Sequence, residues 1–308
     1  MNQIRIALIG MGKCAQQFHL PAIAQSPAFK LVASASTDGV GVDGVPSFMD
    51  YREMLERLGG GIEAVAISTP PAVRTEIASA CLQRGIAVML EKPPVRNCAE
   101  GECLLDASVE SGAVLFGAYH SRYHKALHAV REALRGSRIR GMNVQWHEDV
   151  NKWHPNQPWI WQEGGFGVFD PGINALSMIT MVFPAELEVA QSELWVPTNA
   201  CTPIAAKLLL RSDVADELML VSLDWRAQDE IWRIDIETDN GKRVQIANGG
   251  HLVTIDDVAV PNSDDEYSWI YSDFASLLSA GVSYVDLRPL RLVEEAMLTS
   301  GKNGVQPV

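Results

Sequence analysis

The sequence predicts an α/β protein in which a doubly wound parallel sheet is followed by an α+β domain with a largely antiparallel open sheet. Two observations lead to this expectation. Up to about Tyr119, short apolar runs alternate with helical segments, whereas from Ile139 onward most segments alternate apolar with polar residues. Continuous apolar strands between helices are typical of a parallel sheet covered on both faces, and alternating strands indicate an antiparallel sheet with one solvated face.

The N-terminal part contains predicted strands at IRIALIG, LVASAS, AVAIS, IAVML and AVLFGA. Between them lie predicted helices, one from about Lys13 and three over MDYREMLERL, VRTEIASACLQRG and AEGECLLDASVESG. Each strand is thus followed by a segment long enough to return the chain to the start of a parallel neighbour.

The C-terminal part contains predicted strands at GMNVQWHEDV, LEVAQSELWV, IAAKLLLR, ELMLVSLDWR, EIWRIDIET, KRVQIAN and HLVTID. Asn240-Gly241 and Gly249-Gly250 lie between consecutive strands, where a tight turn would reverse the chain. Two helices, SDFASLLSAG and LRPLRLVEEAML, are predicted near the C-terminus. An open antiparallel sheet with a free face commonly pairs with its copy, so a homodimer is expected.

Composition narrows the possible partners. The 308 residues are 47% hydrophobic and carry a net charge of -13, which argues against nucleic acid or an anionic membrane as a partner. No apolar run approaches the roughly 20 residues that span a bilayer, and no secretory signal opens the chain, so a cytoplasmic location is expected. The five cysteines show no C-x-x-C spacing, so neither a disulfide framework nor a thiolate zinc site is predicted.

A glycine fingerprint follows the first strand. Gly10, Gly12 and Ala15 have the G-x-G-x-x-G/A spacing directly before a helix. The first glycine permits a tight turn, the second lets the backbone approach a pyrophosphate, and the small third residue lets helix and strand pack closely. The position of this motif in the first strand of an alternating chain predicts a Rossmann dinucleotide-binding domain over residues 1–119, with a substrate-binding and oligomerisation domain over 120–308.

The end of the second strand bears on the choice of cofactor. Ser36 and Thr37 are polar there, and Asp38 is the nearby acid that can accept a hydrogen bond from an adenine-ribose hydroxyl. No arginine is present at the end of this strand to receive a 2′-phosphate. NAD is therefore favoured over NADP, although the two hydroxyls could donate to a phosphate and Asp38 could simply cap the Asp-Gly loop.

A second polar signal ends the fifth apolar run. Glu91 and Lys92 in VMLEKPPV lie where parallel strands present their carboxyl ends, which is the edge where ligands bind in such sheets. A surface turn is the alternative interpretation of this Lys-Pro pair.

Several motifs carry a resemblance to a known family: GMGKCA, HLPAI at 19–23, STPP at 68–71, EKPP at 91–94 and GVFDPGINALSM. Along nearly its whole length the chain resembles the glucose-fructose oxidoreductase and inositol dehydrogenase family. It is most similar there to the bacterial aldose 1-dehydrogenases, which oxidise L-arabinose, D-galactose or D-fucose at C1. That subgroup is indicated by HSR at 120–122, WHEDVNKWHP at 146–155, WIW at 159–161 and FDPGIN.

The resemblance implies NAD(P)-dependent oxidation of C1 of an aldopyranose to the aldonolactone. The cofactor-binding residues that it implies are Gly10, Gly12, Lys13, Cys14, Ala15, Ser36, Thr37, Asp38, Thr69, Pro70, Glu91 and Lys92. Many family members carry a histidine as base four residues after Asp170, but this sequence has Asn174, and an amide cannot take a proton at neutral pH.

The catalytic residues are therefore expected to be Asp170, Asn174 and Lys92. Asp170 is the first choice for the base that takes the anomeric hydroxyl proton, Lys92 for the cation beside the developing oxyanion, and Asn174 for the group that positions the hydroxyl. Two considerations oppose Asp170: a carboxylate at a helix N-terminus near lysine is a weakened base, and Asp170 before Pro171 has the pattern of a helix N-cap.

Sugar recognition needs carboxylates and imidazoles for hydroxyls and an aromatic face for C–H groups. The expected substrate-binding residues are His120, Glu148, Trp153, His154 and Trp232. A polar loop packed by tryptophans is the alternative. His120, His124 and His128 are spaced by four, but surface histidines on the helix after Tyr119 explain two of them, so no metal is predicted.

Other functions stay open at this point. A cyclitol or other sugar dehydrogenase, or a cofactor-retaining glycosidase, would share the same family. A non-enzymatic dinucleotide sensor is a different class, but it would not need the polar groups Lys92, Glu148, His154 and Asp170.

Overall fold

A computed structural model of the chain describes residues 3–263 and 265–308. The chain folds into two compact units. The first comprises Met1–His120 and Asp265–Leu287, and the second comprises Ser121–Asp264 and Arg288–Val308.

The strands are, in chain order, β1 (Ile4–Ile9), β2 (Phe29–Ala35), β3 (Ser47–Phe48), β4 (Ala64–Ile67), β5 (Ala87–Leu90), β6 (Leu115–Gly117), β7 (Ile139–Asp149), β8 (Glu188–Pro197), β9 (Ala205–Arg211), β10 (Met219–Asp224), β11 (Arg226–Thr238), β12 (Arg243–Ala247), β13 (Leu252–Ile255), β14 (Val258–Ala259) and β15 (Ser300–Val305). The α-helices are α1 (Leu20–Gln25), α2 (Tyr51–Leu58), α3 (Pro71–Leu82), α4 (Cys98–Ser111), α5 (Ala126–Leu134), α6 (Val150–Trp153), α7 (Phe169–Val182), α8 (Glu266–Ala280) and α9 (Arg288–Thr299). A π-helical turn, Ala15–His19, precedes α1 directly, and short 3₁₀ segments lie at Gly59–Gly61, His120–Tyr123, Pro158–Trp161 and Asn248–Gly250.

The first unit contains a six-stranded sheet in the order β3-β2-β1-β4-β5-β6, and all its neighbouring strands pair in parallel. Every residue of β4, β5 and β6 is buried, because helices cover both faces. This confirms the predicted doubly wound sheet. The strand order reverses between β1 and β4, and the carboxyl ends at such a switch point form the crevice in which dinucleotides bind.

Helix α8 belongs to the first unit. Its Tyr271 and Phe274 are fully buried. The ring of Phe274 stacks on Phe29 of β2 at 5.7 Å between centroids and on Phe116 of β6 at 5.9 Å. The prediction that all of 120–308 forms the second domain is therefore wrong for residues 265–287, because the aromatic face of α8 completes the core of the parallel sheet.

The second unit contains a nine-stranded sheet in the order β14-β13-β12-β11-β7-β10-β9-β8-β15. Two of its pairs, β10 with β7 and β15 with β8, are parallel, and the others are antiparallel. The predicted turn at Asn240-Gly241 joins β11 to β12, with Gly241 at φ 85°. The segment around Gly249 and Gly250 joins β12 to β13, also with positive φ.

Helix α7 is buried along nearly its entire length, so its apolar residues form the core of the second unit. A Cβ atom on Gly172 would lie 2.5 Å from Cδ1 of Leu223, so the helix backbone packs directly on β10. This close packing places Asp170, in the first turn of α7, in the interior. None of the helices in the described parts of the chain is long and apolar enough to cross a membrane.

Replacing Phe274 by alanine tests the role of α8. We expect Phe274→Ala to lower the free energy of unfolding by about 3–5 kcal/mol, since the cavity would open in the core of the parallel sheet. Val109→Ala on α4, where the side chain is 82% exposed, is the control and should change it by less than about 0.5 kcal/mol. Urea denaturation measures both, and equal effects in the two variants would contradict the placement of α8.

Candidate active site

The loop after β1 has the conformation that the fingerprint predicts. Gly10 adopts φ +89°, and a Cβ atom there would lie 2.8 Å from the carbonyl carbon of Ser68. Both the dihedral angle and the contact exclude a side chain. Gly12 has open space around its missing Cβ, so its backbone is accessible to a ligand. Helical backbone begins at Lys13, and the buried Ala15 packs beneath the loop.

The hydroxyl of Thr69 also fits a bound dinucleotide. Thr69 follows β4, beside the fingerprint loop. Its Oγ1 is buried, and no group in residues 3–263 or 265–308 forms a hydrogen bond with it. Buried hydroxyls normally have a partner, so this position suits a ligand that supplies one. The exposed Pro70 follows Thr69 and precedes α3.

The end of β2 presents an ionised carboxylate. Asp38 is exposed, and its Oδ1 accepts hydrogen bonds from the Ser36 hydroxyl at 2.6 Å and from the Val40 amide at 3.1 Å. These bonds, that from Ser36 foremost, lower the pKa of Asp38. Thr37 is exposed between the two predicted residues. The loop therefore offers a fixed acceptor at the place where the ribose of a dinucleotide would lie.

Arg74 of α3 joins the ends of β4 and β5. Its guanidinium is buried and donates to the backbone carbonyls of Thr69, Glu91 and Pro93. The peptide bond between Lys92 and Pro93 is cis. Sequence reasoning missed Arg74, since an arginine in a helix gives no sign that carbonyls from two strand ends surround it.

The carboxylate of Glu91 is the centre of a buried network. It is 4% exposed and accepts hydrogen bonds from His19 Nε2 at 3.2 Å and from the Tyr267 hydroxyl at 2.6 Å. Burial alone would raise its pKa, but the bond and charge of His19, the charge of His120 and the bond from Tyr267 lower the pKa to about 2. The backbone N–H of Lys92 also donates to it, at 2.8 Å. Glu91, predicted to bind cofactor, thus anchors the backbone of Lys92.

Tyrosines of α8 complete this network. The Tyr271 hydroxyl lies 2.8 Å from Nδ1 of His19, and the Tyr267 hydroxyl lies 3.3 Å from Sγ of Cys14. Burial raises the pKa of the Cys14 thiol to about 12, so it stays protonated. Ligand atoms of Cys14, His19 and Glu91 lie within 4.8 Å of one another, as a metal site would require, but the hydrogen bonds just described account for the cluster. His120 stacks on Tyr267 with centroids 6.1 Å apart.

In the second unit, Asp170 lies one residue inside α7. The helix begins at Phe169, and its N-cap is Val168, whose side chain makes no capping bond. The alternative reading of Asp170 as the N-cap is therefore wrong. Its carboxylate is 4% exposed and lies 3.4 Å from Nε2 of His154. Asn174 follows one helical turn later and is half-buried.

Glu148 holds two tryptophans. It belongs to the buried face of β7, together with Val144 and Trp146, as the strand alternation predicted. Its Oε1 accepts the indole N–H of Trp225 and its Oε2 that of Trp232, both at 3.0 Å. A carboxylate buried in this way needs such donors, and each oxygen has one.

The tryptophans form a continuous aromatic surface. Trp232 lies between Trp146 at 6.0 Å and Trp153 at 5.6 Å, measured between ring centroids. Trp153 donates its indole N–H to Glu230 at 2.6 Å. The Nε1 of Trp146 is buried without a hydrogen-bond partner in the part of the chain that the structure describes. Sequence reasoning did not select Trp146 as a ligand, although its two-residue spacing from Glu148 in a predicted strand puts both side chains on one face.

Trp225 links this surface to the carboxylate of α7. Its buried ring packs on His154 at 5.1 Å and edge-on against Trp161 at 5.4 Å. The structure therefore brings Glu148, Trp153, Trp232, His154 and Asp170 into one connected cluster, all within the second unit. Trp225 was missed because a tryptophan at the end of an alternating strand is usually sheet packing.

One of the three spaced histidines, His124, differs from expectation. Only His128 lies in α5, whereas His120 is in the preceding 3₁₀ turn. His124 is buried, and its ring meets that of His251 edge-on at 4.7 Å. The helix-surface explanation therefore holds for His128 alone.

Comparisons with known proteins identify the family and the fold of the chain. Residues 4–119 match the model of the oxidoreductase family with an NAD-binding Rossmann fold. The galactose 1-dehydrogenase of Pseudomonas fluorescens is 38% identical over 309 aligned positions, which cover 99% of each chain. The crystal structure of a D-galactose-1-dehydrogenase from Rhizobium etli matches with a TM-score of 0.93 and 39% identity, over 100% of this chain and 98% of that one. A 3-ketoreductase from Actinomadura kijaniata, solved with NADP, shares the fold at a TM-score of 0.84 and 19% identity, over 99% and 100% of the two chains.

Replacing Glu148 by glutamine tests the indole network. An amide has one oxygen and one NH₂ group, so Glu148→Gln would set its NH₂ against one indole N–H and leave two donors facing each other. We expect a loss of about 1–3 kcal/mol in the free energy of unfolding and an altered near-ultraviolet tryptophan spectrum. Glu163→Gln, at an exposed position, is the matched control. An unchanged spectrum and stability in Glu148→Gln would contradict the two bonds.

Proposed function

This chain belongs to the oxidoreductase family with an NAD-binding Rossmann fold, and from that premise we propose that it oxidises a galactose-type aldopyranose at C1. It is an NAD(P)-dependent enzyme acting on a CH–OH group, as its full-length relationship shows. The observation that carries the proposed substrate is the similarity over the whole chain to two galactose 1-dehydrogenases. The product would be the aldonolactone. Galactose, arabinose and fucose share the ring configuration and remain the candidate sugars.

The first unit would hold the cofactor. The pyrophosphate would lie against the backbone of Gly12 and the helix that starts at Lys13, where exposed N–H groups favour an anion. Thr69 would donate a hydrogen bond from its hydroxyl to the cofactor. The hydrogen bond from the backbone N–H of Lys92 to the carboxylate of Glu91 would fix the backbone of Lys92. A nicotinamide held there would supply the acceptor for the hydride of C1.

Asp170 would accept the anomeric hydroxyl proton. Its carboxylate lies in the first turn of α7, where the N-terminus of a helix stabilises a negative charge. Lys92 would stabilise the oxyanion that forms as the proton leaves, and Asn174 would orient the hydroxyl through its amide. The histidine that many family members carry at position 174 is absent, so the carboxylate takes its role.

The tryptophan surface would hold the sugar. Trp153 and Trp232 offer faces for its C–H groups, and Trp146 has an indole N–H available for a hydroxyl. Glu148 fixes Trp232, and its carboxylate is a proposed contact for the sugar hydroxyls. His120 is a further proposed contact. These assignments come from the sequence and from the cluster geometry.

The comparisons do not favour the other functions considered, namely a cyclitol dehydrogenase, a cofactor-retaining glycosidase and a dinucleotide sensor. The two relatives that match over nearly the whole chain at 38% and 39% identity are galactose 1-dehydrogenases. The homodimer and the cytoplasmic location stay predictions.

A panel of sugars tests the activity. Purified protein with NAD or NADP should produce reduced cofactor from D-galactose, L-arabinose or D-fucose and not from inositol. Asp170→Asn and Lys92→Met should each lower kcat/KM by about 10²–10⁴-fold, because each removes a group that acts on the developing oxyanion. The control Asp213→Asn, at an exposed site, should leave the rate unchanged. Cofactor fluorescence checks that binding is retained. Absence of turnover with every sugar would refute the proposal.

We also propose that NAD is preferred over NADP. Asp38 would accept from the adenine-ribose hydroxyls, and its negative charge would repel a 2′-phosphate. Ser36 is engaged with Asp38, so its hydroxyl is directed away from a phosphate.

Removing the carboxylate tests this preference. Asp38→Ala should lower kcat/KM for NAD by about 10–100-fold, which corresponds to a hydrogen bond to a charged group, and should narrow the ratio between NAD and NADP. Asp43→Ala, an exposed acid of the same loop, should change neither. A preference that is the same in wild type and Asp38→Ala would show that other groups select the cofactor.

A further inference from the structure

The side chain of Gln157 is fixed by a tryptophan. The indole Nε1 of Trp159 lies 3.2 Å from Oε1 of Gln157. An indole N–H can only donate, so the amide atom that faces it must be the oxygen. The orientation of the Gln157 amide is thereby determined, without reference to any other neighbour.

This orientation determines the tautomer of His154. The same Oε1 lies 3.3 Å from Nδ1 of His154. Because that oxygen is an acceptor, Nδ1 must carry the hydrogen. In the neutral ring Nε2 is then unprotonated, and it is Nε2 that lies 3.4 Å from Oδ2 of Asp170. Such separations are common before substrate binding and shorten in the reacting complex.

We propose that His154 is the second acceptor of the substrate proton, and that Gln157 and Trp159 are positioning residues that keep its Nε2 ready for it. The proposal rests on the proposed function of Asp170. It also answers the objection to Asp170 as a base. An imidazole is ordinarily a stronger base than a carboxylate, so His154 can take over a proton that reaches Asp170.

The proton transfers balance without another reactant. The O–H bond of the anomeric hydroxyl would break and its proton would join the carboxylate of Asp170, while the C1–O bond becomes the lactone carbonyl. The hydrogen on C1 would leave with its electron pair to the oxidised nicotinamide that the proposed activity requires. The proton then passes from Oδ2 to Nε2, which restores the carboxylate and gives an imidazolium. The His154 side chain is 17% exposed, so the imidazolium can lose the proton to water.

The surroundings favour the imidazolium that this transfer forms. Asp170 lies on one side, and the Gln157 oxygen accepts from the other nitrogen. The ring of Trp225 packs on His154, and the carboxylate of Glu148 accepts the indole N–H of that same tryptophan. The carboxylate of Asp170 and the ring of Trp225 thus adjoin His154. Since Nδ1 is bonded to Gln157 and Nε2 faces Asp170, His154 would serve the proton rather than bind a sugar hydroxyl, as the sequence had suggested.

The tautomer is tested first, by a measurement that needs no substrate. Nitrogen-15 NMR of histidine-labelled wild type at pH 8–9, with His154→Asn to assign the signal, should show His154 protonated at Nδ1. Gln157→Leu should release this constraint and shift the signal towards the Nε2–H form. An Nε2–H tautomer in the wild type would overturn the proposal, whatever the enzyme does with sugars.

Kinetics then test the proton path. Gln157→Leu should lower kcat about tenfold with little change in KM. In the Nε2–H tautomer, His154 would donate a hydrogen bond to Asp170 and occupy a lone pair of its carboxylate. Gln157→Glu keeps an acceptor for Nδ1 and should retain the rate, whereas Gln162→Leu, the same change at an exposed site, should behave as wild type. In His154→Asn, kcat should fall about 10–100-fold and recover in part with added imidazole.

The possible outcomes separate the two proposals. A wild type inactive on every sugar removes the proposed function while leaving the tautomer result intact. An active wild type in which His154→Asn raises KM alone, and in which imidazole restores nothing, would show that His154 is a sugar ligand and would refute the proton path.

Discussion

Glu91 is almost completely buried, and its carboxylate is held by donors from distant parts of the first unit: His19 after β1, Tyr267 of α8 and the backbone of Lys92. A charge in the interior is tolerated only when such bonds replace water. The network therefore fixes the fingerprint helix, α8 and the Lys92 turn relative to the same carboxylate. Segment 265–287 is part of the first unit for this reason as much as for its aromatic core.

The second unit meets the same requirement in another way. Glu148 accepts two indole N–H groups, and Asp170 combines the helix N-terminus of α7 with the imidazole of His154. The donors are aromatic, so satisfying the two carboxylates also builds an aromatic surface. A site with flat apolar faces and few, fixed polar groups is what a pyranose ring needs. Recognition of the proposed sugar and charge burial would thus rest on the same side chains.

The proposed chemistry depends on how these groups share protons. In the proposed path, a neighbouring imidazole of fixed tautomer would give the substrate proton a second acceptor after the carboxylate of Asp170. Trp159 and Gln157 contribute no charge, yet their donor and acceptor properties would decide which nitrogen of His154 carries the hydrogen. Neutral residues outside the reacting pair can in this way direct proton transfer.

The sequence by itself determined the parts that depend on local pattern. Apolar periodicity predicted both sheets, and the spacing of Gly10, Gly12 and Ala15 predicted the phosphate loop, because backbone conformation at a glycine is a local property. The resemblance of its motifs identified the family and the residues around Asp170 and Lys92.

Only the tertiary structure decided the contacts between segments far apart in the chain. No local pattern predicts the hydrogen bonds of Arg74 to three carbonyls, of Tyr267 to Glu91 or of Trp225 to Glu148, since each joins a side chain to a group of another element. The helix start at Phe169 likewise depended on packing of α7 against β10, which overrode the N-cap pattern of Asp170 and Pro171.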